Sequence, residues 1–367
     1  MQAERTTAKR LIAALLALWL VACAPALPAS TPAVPTPSPE PTATPTPTHT
    51  APPPTLTPTA APPTLTPSPA GPTPTPNPLA DYSIEALAAR AYDGGEIVKE
   101  AVTLYAGAYT QYAIAYETDG GLRVTGLMNV PEGAEPPFPV ILLLHGGIDQ
   151  SVYEPGDGTR AFADFFARQG YLTIAPDYRT YNNTGGSSSP LKIPWSVDVL
   201  NLMAALPTLP EADAGRVGVL GHSRGGGVAS YLTVLSPEWP GLRAVVLYAS
   251  LSFDQAVNWE RYVEFFGAQW PLDDAAIYGS PATNPEGYAL VSPIHYLDRV
   301  SVPVQIHHGD ADRVVPVEWS ADLYARLLEL GKTVEYYEVP GAEHEFTGED
   351  FDLLLERSLA FFERYVR

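Results

Sequence analysis

Cysteine is all but absent: Cys23 is the only one in 367 residues, which excludes an intrachain disulfide. A domain of this size needs none, because its apolar core is large enough without it. Basic residues are also scarce, with 21 Lys and Arg against 41 Asp and Glu. Residues 1–80 hold three of those cations (Arg5, Lys9, Arg10) and two of the anions (Glu4, Glu40), leaving 18 against 39 in the rest. So acidic a domain repels nucleic acid and anionic lipid headgroups, which argues against both as substrates. The same charge aids solubility and identifies no substrate by itself. The apolar run near the N-terminus is short. Leu11–Ala22 is twelve residues, and at about 1.5 Å per residue it falls short of a bilayer core.

What is present at the N-terminus is a charged start, that apolar run, and then Leu20-Val21-Ala22-Cys23. The pattern is that of a secretory signal, and its end resembles the lipobox of bacterial lipoproteins. The resemblance implies a signal peptide over residues 1–22 and a lipidated Cys23 as the new first residue. Two or more acyl chains hold a protein stably at a membrane, where one is marginal. From Ala24 to Ala80 the chain is Pro, Thr, Ala and Ser, with 21 of the 40 prolines. Such density excludes helix and sheet and favours polyproline II, at about 3.1 Å per residue a semi-rigid tether reaching on the order of 170 Å. The expected layout is a tether over 23–80 and one folded domain over 81–367, held outside the cytoplasm at a membrane.

Beyond Asp81 strands alternate with helices. Tyr109–Tyr116 and Leu122–Val130 flank Thr118-Asp119-Gly120-Gly121 and read as an antiparallel hairpin. Short, continuously apolar runs follow at Val140–Leu144, Leu172–Ala175, Val217–Leu220, Ala244–Tyr248, Val304–Ile306 and Val334–Val339. Continuous hydrophobicity suits strands covered on both faces. Amphipathic stretches lie between them, including a last helix over Glu349–Tyr365. The expectation is an α/β class with a mostly parallel sheet, helices on both faces and the hairpin at one edge. Chemistry in such a sheet belongs beyond the carboxyl ends of its strands.

Val217–Leu220 runs into Gly221-His222-Ser223-Arg224-Gly225 and then into a helical pattern. A G-x-S-x-G between strand and helix is a nucleophile elbow, a sharp turn that exposes the serine hydroxyl. Serine needs a base and the base an orienting carboxylate, in the chain order Ser, Asp/Glu, His. Of His295, His307, His308 and His344, only His344 lies in a loop between the last strand and the last helix. It is the expected base. Asp312, deep in the loop after Val304–Ile306, is the expected acid. Asp310, nearer the strand end, reads as a turn cap, and Asp254, one strand earlier, is the further alternative. Acyl transfer also needs N–H groups aimed at the developing oxyanion. Arg224 supplies one, and His145-Gly146-Gly147-Ile148 supplies the other, at Gly147 or failing that Ile148. His145 reads as a prop for that loop.

Together with Pro176-Asp177-Tyr178-Arg179, Ser292-Pro293-Ile294 and Pro340-Gly341, these segments resemble the catalytic domain of the prolyl oligopeptidase family, with kinship to dienelactone hydrolases and related esterases. The resemblance implies an α/β-hydrolase fold, Ser223, Asp312 and His344 as the catalytic triad, Gly147 as main-chain oxyanion donor, and no metal or organic cofactor. It implies an ester or short peptide as substrate. A Pro/Thr tether stands where peptide-cleaving members carry a gating domain, and no acidic pair to grip a free amine is identifiable, so an esterase is expected ahead of a peptidase. A binding lipoprotein on a hydrolase scaffold would lack a triad member, and none is missing. The stretch 253–290 is long for a crossover. Its Trp259, Tyr262, Phe265, Phe266, Trp270 and Tyr278 read either as a helix packed on the sheet or as a small lid.

Overall fold

The computed structural model describes residues 76–367; the expected signal peptide, Cys23 and nearly all of the tether lie outside the described residues. The first described residues already belong to the fold. Leu79 is buried in the core, and Asn77 Nδ2 donates to Asn284 Oδ1 at 2.7 Å. Ser83 then caps α1 (Ile84–Ala89), its Oγ accepting from Ala86 N–H at 3.1 Å.

Nine strands form one sheet in the order β1-β2-β3-β5-β4-β6-β7-β8-β9. β1 (Val98–Tyr105), β2 (Tyr109–Thr118) and β3 (Leu122–Pro131) are antiparallel neighbours, and β3 also meets β5 (Leu172–Pro176) antiparallel. From β5 through β4 (Phe138–Leu144), β6 (Ala212–His222), β7 (Leu242–Tyr248), β8 (Val304–Gly309) and β9 (Val334–Val339) every pairing is parallel. The expected hairpin is thus two strands of a three-stranded ribbon. Its outer strand β1 escaped the sequence reading because every residue of it is exposed, so no apolar periodicity marks it.

The parallel strands show why their runs are apolar throughout. Along β4, Ile141 and Leu143 share one core with Phe166 of α2 (Arg160–Arg168) and Phe362 near the C-terminus. Val140, Leu142 and Leu144 belong to the opposite core, with Val199 of α3 (Ile193–Ala205) and Val228 of α4 (Arg224–Val234). Each such side chain contributes roughly 1.5–3 kcal/mol on burial. Between β7 and β8 run α5 (Gln255–Glu260), a single π-helical turn (Arg261–Phe265), α6 (Trp270–Tyr278) and α7 (Pro285–Val291). α8 (Val317–Glu329) joins β8 to β9, and α9 (Glu349–Tyr365) closes the chain at the expected bounds. Among the described residues no helix is long and apolar enough to cross a membrane.

Candidate active site

β6 delivers Ser223 at its carboxyl end, and α4 begins at the next residue. Ser223 has φ 54° and ψ −116°, a conformation that L side chains seldom adopt and that costs on the order of 1–3 kcal/mol. The turn closes because its flanking residues lack a Cβ. One on Gly221 would lie 2.5 Å from Gly225 O, and one on Gly225 would strike the Leu144 carbonyl of β4. On the β4 side, a Cβ on Gly146 would fall 3.3 Å from that of Ser223, so the glycine loop lies directly against the elbow.

Three distant segments meet here. His344 Nε2 lies 2.9 Å from Ser223 Oγ, and His344 Nδ1 lies 2.7 Å from Asp312 Oδ2. A carboxylate oxygen only accepts, so Nδ1 carries the proton and Nε2 accepts from the serine hydroxyl. Asp312 Oδ1 takes the N–H groups of Val314 and Val315 at 2.7 and 2.9 Å. Burial by itself would raise the Asp312 carboxyl. Hydrogen bonds from His308, His344 and the Val315 N–H outweigh it and hold the group well below the usual carboxylate range. Asp310 accepts the Gly341 N–H at 2.6 Å, pinning the β9 loop. Asp254 caps α5 by accepting from Ala256 N–H at 2.8 Å. Neither takes part in the chain from Ser223 to Asp312.

Two further histidines hold this chain in place. His308 Nε2 sits 3.1 Å from both Asp312 Oδ2 and Val315 O, and its Nδ1 is 2.7 Å from Ser320 Oγ. Facing two acceptors, Nε2 must be the donor, and Ser320 donates to Nδ1. His308 is thus a second ring donor to Asp312. His222, which the sequence reading passed over, is buried and stacked on Tyr248 with ring centres 4.4 Å apart. Its Nε2 lies 3.3 Å from the His344 carbonyl. Burial first, then the neighbouring His344, push it down to about 3, so it is a neutral donor bracing the His344 loop.

His145 behaves as the expected prop. Its ring stacks on Tyr178 at 4.4 Å and its Nδ1 donates to Gly146 O at 2.8 Å. Burial pushes it down to about 4. The adjoining Pro176–Arg179 loop is fixed by a buried ion pair. Arg179 donates to Asp198 Oδ1 from Nε at 2.9 Å and Nη2 at 2.6 Å.

Gly147 and Arg224 flank Ser223 in an open cleft of about 1070 Å³. Among the described residues the Gly147 N–H has no protein acceptor. Tyr262, Phe266 and Trp270 line the same cleft, while Tyr288 and Val291 further along are buried in the main core. The 253–290 stretch therefore divides: its end packs as a crossover and its middle covers the site. Arg261 fastens that middle to the Asp312 loop, donating to Arg313 O at 2.7 Å and Val314 O at 2.9 Å.

Known proteins resemble this chain in sequence and in fold. The BD-FAE family model matches residues 128–327, more than half of the chain. The uncharacterized peptidase YtmA of Bacillus subtilis strain 168 is 27% identical over 245 residues, 64% of this chain and 86% of that protein. Esterase FrsA of Yersinia enterocolitica is 31% identical over 159 residues, 42% of this chain but only 34% of FrsA. Among solved structures, acylaminoacyl peptidase of Pyrococcus horikoshii superposes with a TM-score of 0.55 at 23% identity, over 71% of this chain and 42% of that one. The Pyrococcus furiosus esterase PF2001 gives 0.55 at 17% identity, over 76% of this chain and all of that one. The shared architecture is the α/β-hydrolase fold.

Proposed function

This chain belongs to the BD-FAE family, and from that premise we propose that it is a serine hydrolase cleaving a carboxylic ester through an acyl-enzyme. The observation that carries the reading is the unbroken path from Ser223 Oγ through His344 to Asp312, at 2.9 and 2.7 Å. His344 Nε2 takes the hydroxyl proton as Oγ bonds to the ester carbonyl carbon. The oxyanion accepts hydrogen bonds from the N–H groups of Gly147 and Arg224. Collapse breaks the ester bond, and the leaving alcohol takes its proton from His344. Water then adds to the acyl-enzyme by the same route and releases the acid. No step calls for a metal or organic cofactor.

Esterase and peptidase both occur among the relatives' names, so the leaving group needs its own argument. A peptidase that grips a free amine needs carboxylates in the cleft. Among the described residues lining it, Glu345 alone is acidic, and its side chain is 73% exposed. That favours esters. The test is turnover of a short-chain p-nitrophenyl ester against aminoacyl and prolyl p-nitroanilides. The ester should be cleaved and Ser223→Ala should abolish it; faster cleavage of the amides would give the protein to the peptidases.

We also propose that the mature protein is held at a membrane through lipid on Cys23, outside the cytoplasm. The support is the charged start, apolar run and Leu20–Cys23 pattern. Metabolic labelling with a fatty-acid analogue should mark the wild type and not Cys23→Ala.

A further inference from the structure

The chain carries 21 Lys and Arg against 41 Asp and Glu, so a cation without a carboxylate partner is unexpected inside it. Two such cations face one indole, that of Trp195: Arg224, the residue after Ser223, and Lys192. Arg224 projects between two aromatic rings, its Cζ 5.4 Å from the Trp195 ring centre and 4.9 Å from that of Tyr262. Its Nε donates to Tyr262 Oη at 3.0 Å. Lys192 faces the same indole from elsewhere, with Nζ 5.5 Å from Trp195 and 4.7 Å from Trp270. Its Nζ donates to Ser188 Oγ at 2.7 Å. The carboxylate facing Lys192 is Asp274, but it lies outside ion-pair range and accepts instead from Ser189 Oγ and the Leu191 N–H. Among the described residues neither Lys192 nor Arg224 has a carboxylate within 4.0 Å.

The two charges line a narrow inner pocket walled by Trp195, Trp259 and Tyr231. It lies beside the catalytic cleft, and Arg224, Leu251, Tyr262 and Trp270 line both. Desolvated cations held by aromatic faces bind anions more strongly than solvated ones do, and burying them unpaired is costly unless something completes the pair. Which end of a substrate reaches them follows from the proton path. The leaving alcohol must lie against His344, which protonates it. His344 lines the outer cleft and not the inner pocket. The inner pocket therefore takes the acyl part.

Resting on the hydrolase reading above, we propose that Arg224 and Lys192 form a carboxylate subsite and that the substrate is a monoester of a short dicarboxylic acid. Its free carboxylate enters the inner pocket, completing both cations. Hydrolysis consumes one water and yields the alcohol and the dicarboxylate, with no other reactant. Lys192 supports the assignment: burial, then repulsion from Arg224, push it down to about 8, the state of a cation awaiting an anion.

The test has two arms on the full chain. In the first, Ser223→Ala is titrated by calorimetry with monomethyl glutarate and with dimethyl glutarate. The monoanion should bind about tenfold tighter or more. That preference should collapse when Arg224→Gln or Lys192→Gln is added and persist in part with Arg224→Lys. In the second arm, the wild type is given the p-nitrophenyl esters of glutaric acid and of its monomethyl ester, and the ratio of kcat/KM is read. A ratio of one, or a preference unmoved by both Gln variants, overturns the subsite. Tight binding of the monoanion without turnover of either ester would overturn the hydrolase reading and leave the subsite standing.

Discussion

At Asp312 four donors converge on one carboxylate: two histidine rings and two backbone N–H groups. They hold the group well below the usual carboxylate range, and in its ionised form it fixes the proton of His344 on Nδ1. Asp312→Asn should keep the fold, because an amide can replace part of this network. It should lower kcat by roughly a thousandfold or more through the wrong imidazole tautomer, measured on a p-nitrophenyl ester alongside an unchanged melting temperature. A drop below tenfold would remove Asp312 from the acid's role. That Ser223, Asp312 and His344 would meet was legible in the sequence, because chain order and loop position leave few choices. His222 and His308 as braces were not. Their roles arise from contacts between segments more than a hundred residues apart in one case and from a tight loop in the other, and neither leaves a spacing to read.

Among elements, the junction of β4, β6 and α4 tolerates the least change. A Cβ at 225 would meet the carbonyls of Leu144 and His145, backbone atoms that cannot swing aside. Gly225→Ala should therefore destabilise by about 2 kcal/mol or more and lose ester turnover together, as read by urea unfolding and activity on one preparation. A stable, active Gly225→Ala would contradict the close packing of the elbow. The parallel strands were legible because burial on both faces writes an apolar run into each. β1 was not, since Val98, Val102, Leu104 and Tyr105 are all exposed and alternate with nothing buried. The 253–290 stretch was ambiguous for a different reason. Aromatics serve a core and a cleft equally well, and the structure uses them for both.

On the scale of the whole molecule, three buried histidines tie stability to pH. His145 is pushed down to about 4 and His222 and His307 to about 3, in each case chiefly by burial. In the unfolded chain each titrates near 6.5. Between pH 6.5 and those lower values the unfolded state binds more protons, so stability is full above about pH 7 and falls as the pH drops. Each ring contributes up to about 1.4 kcal/mol per pH unit. Urea unfolding at pH 7.5, 6 and 5 should show the decline, and His307→Leu should reduce its slope. Constant or rising stability toward pH 5 would contradict neutral burial.

The central claim is that one hydroxyl, at Ser223, is activated by the chain of contacts behind it. Reaction of the full protein with a fluorophosphonate, followed by mass spectrometry of the digested adduct, tests this most directly. A single phosphonylated residue at Ser223, no adduct in Ser223→Ala, and at least a hundredfold slower labelling in His344→Ala are expected. An unlabelled wild type, or an adduct on another residue, would contradict it.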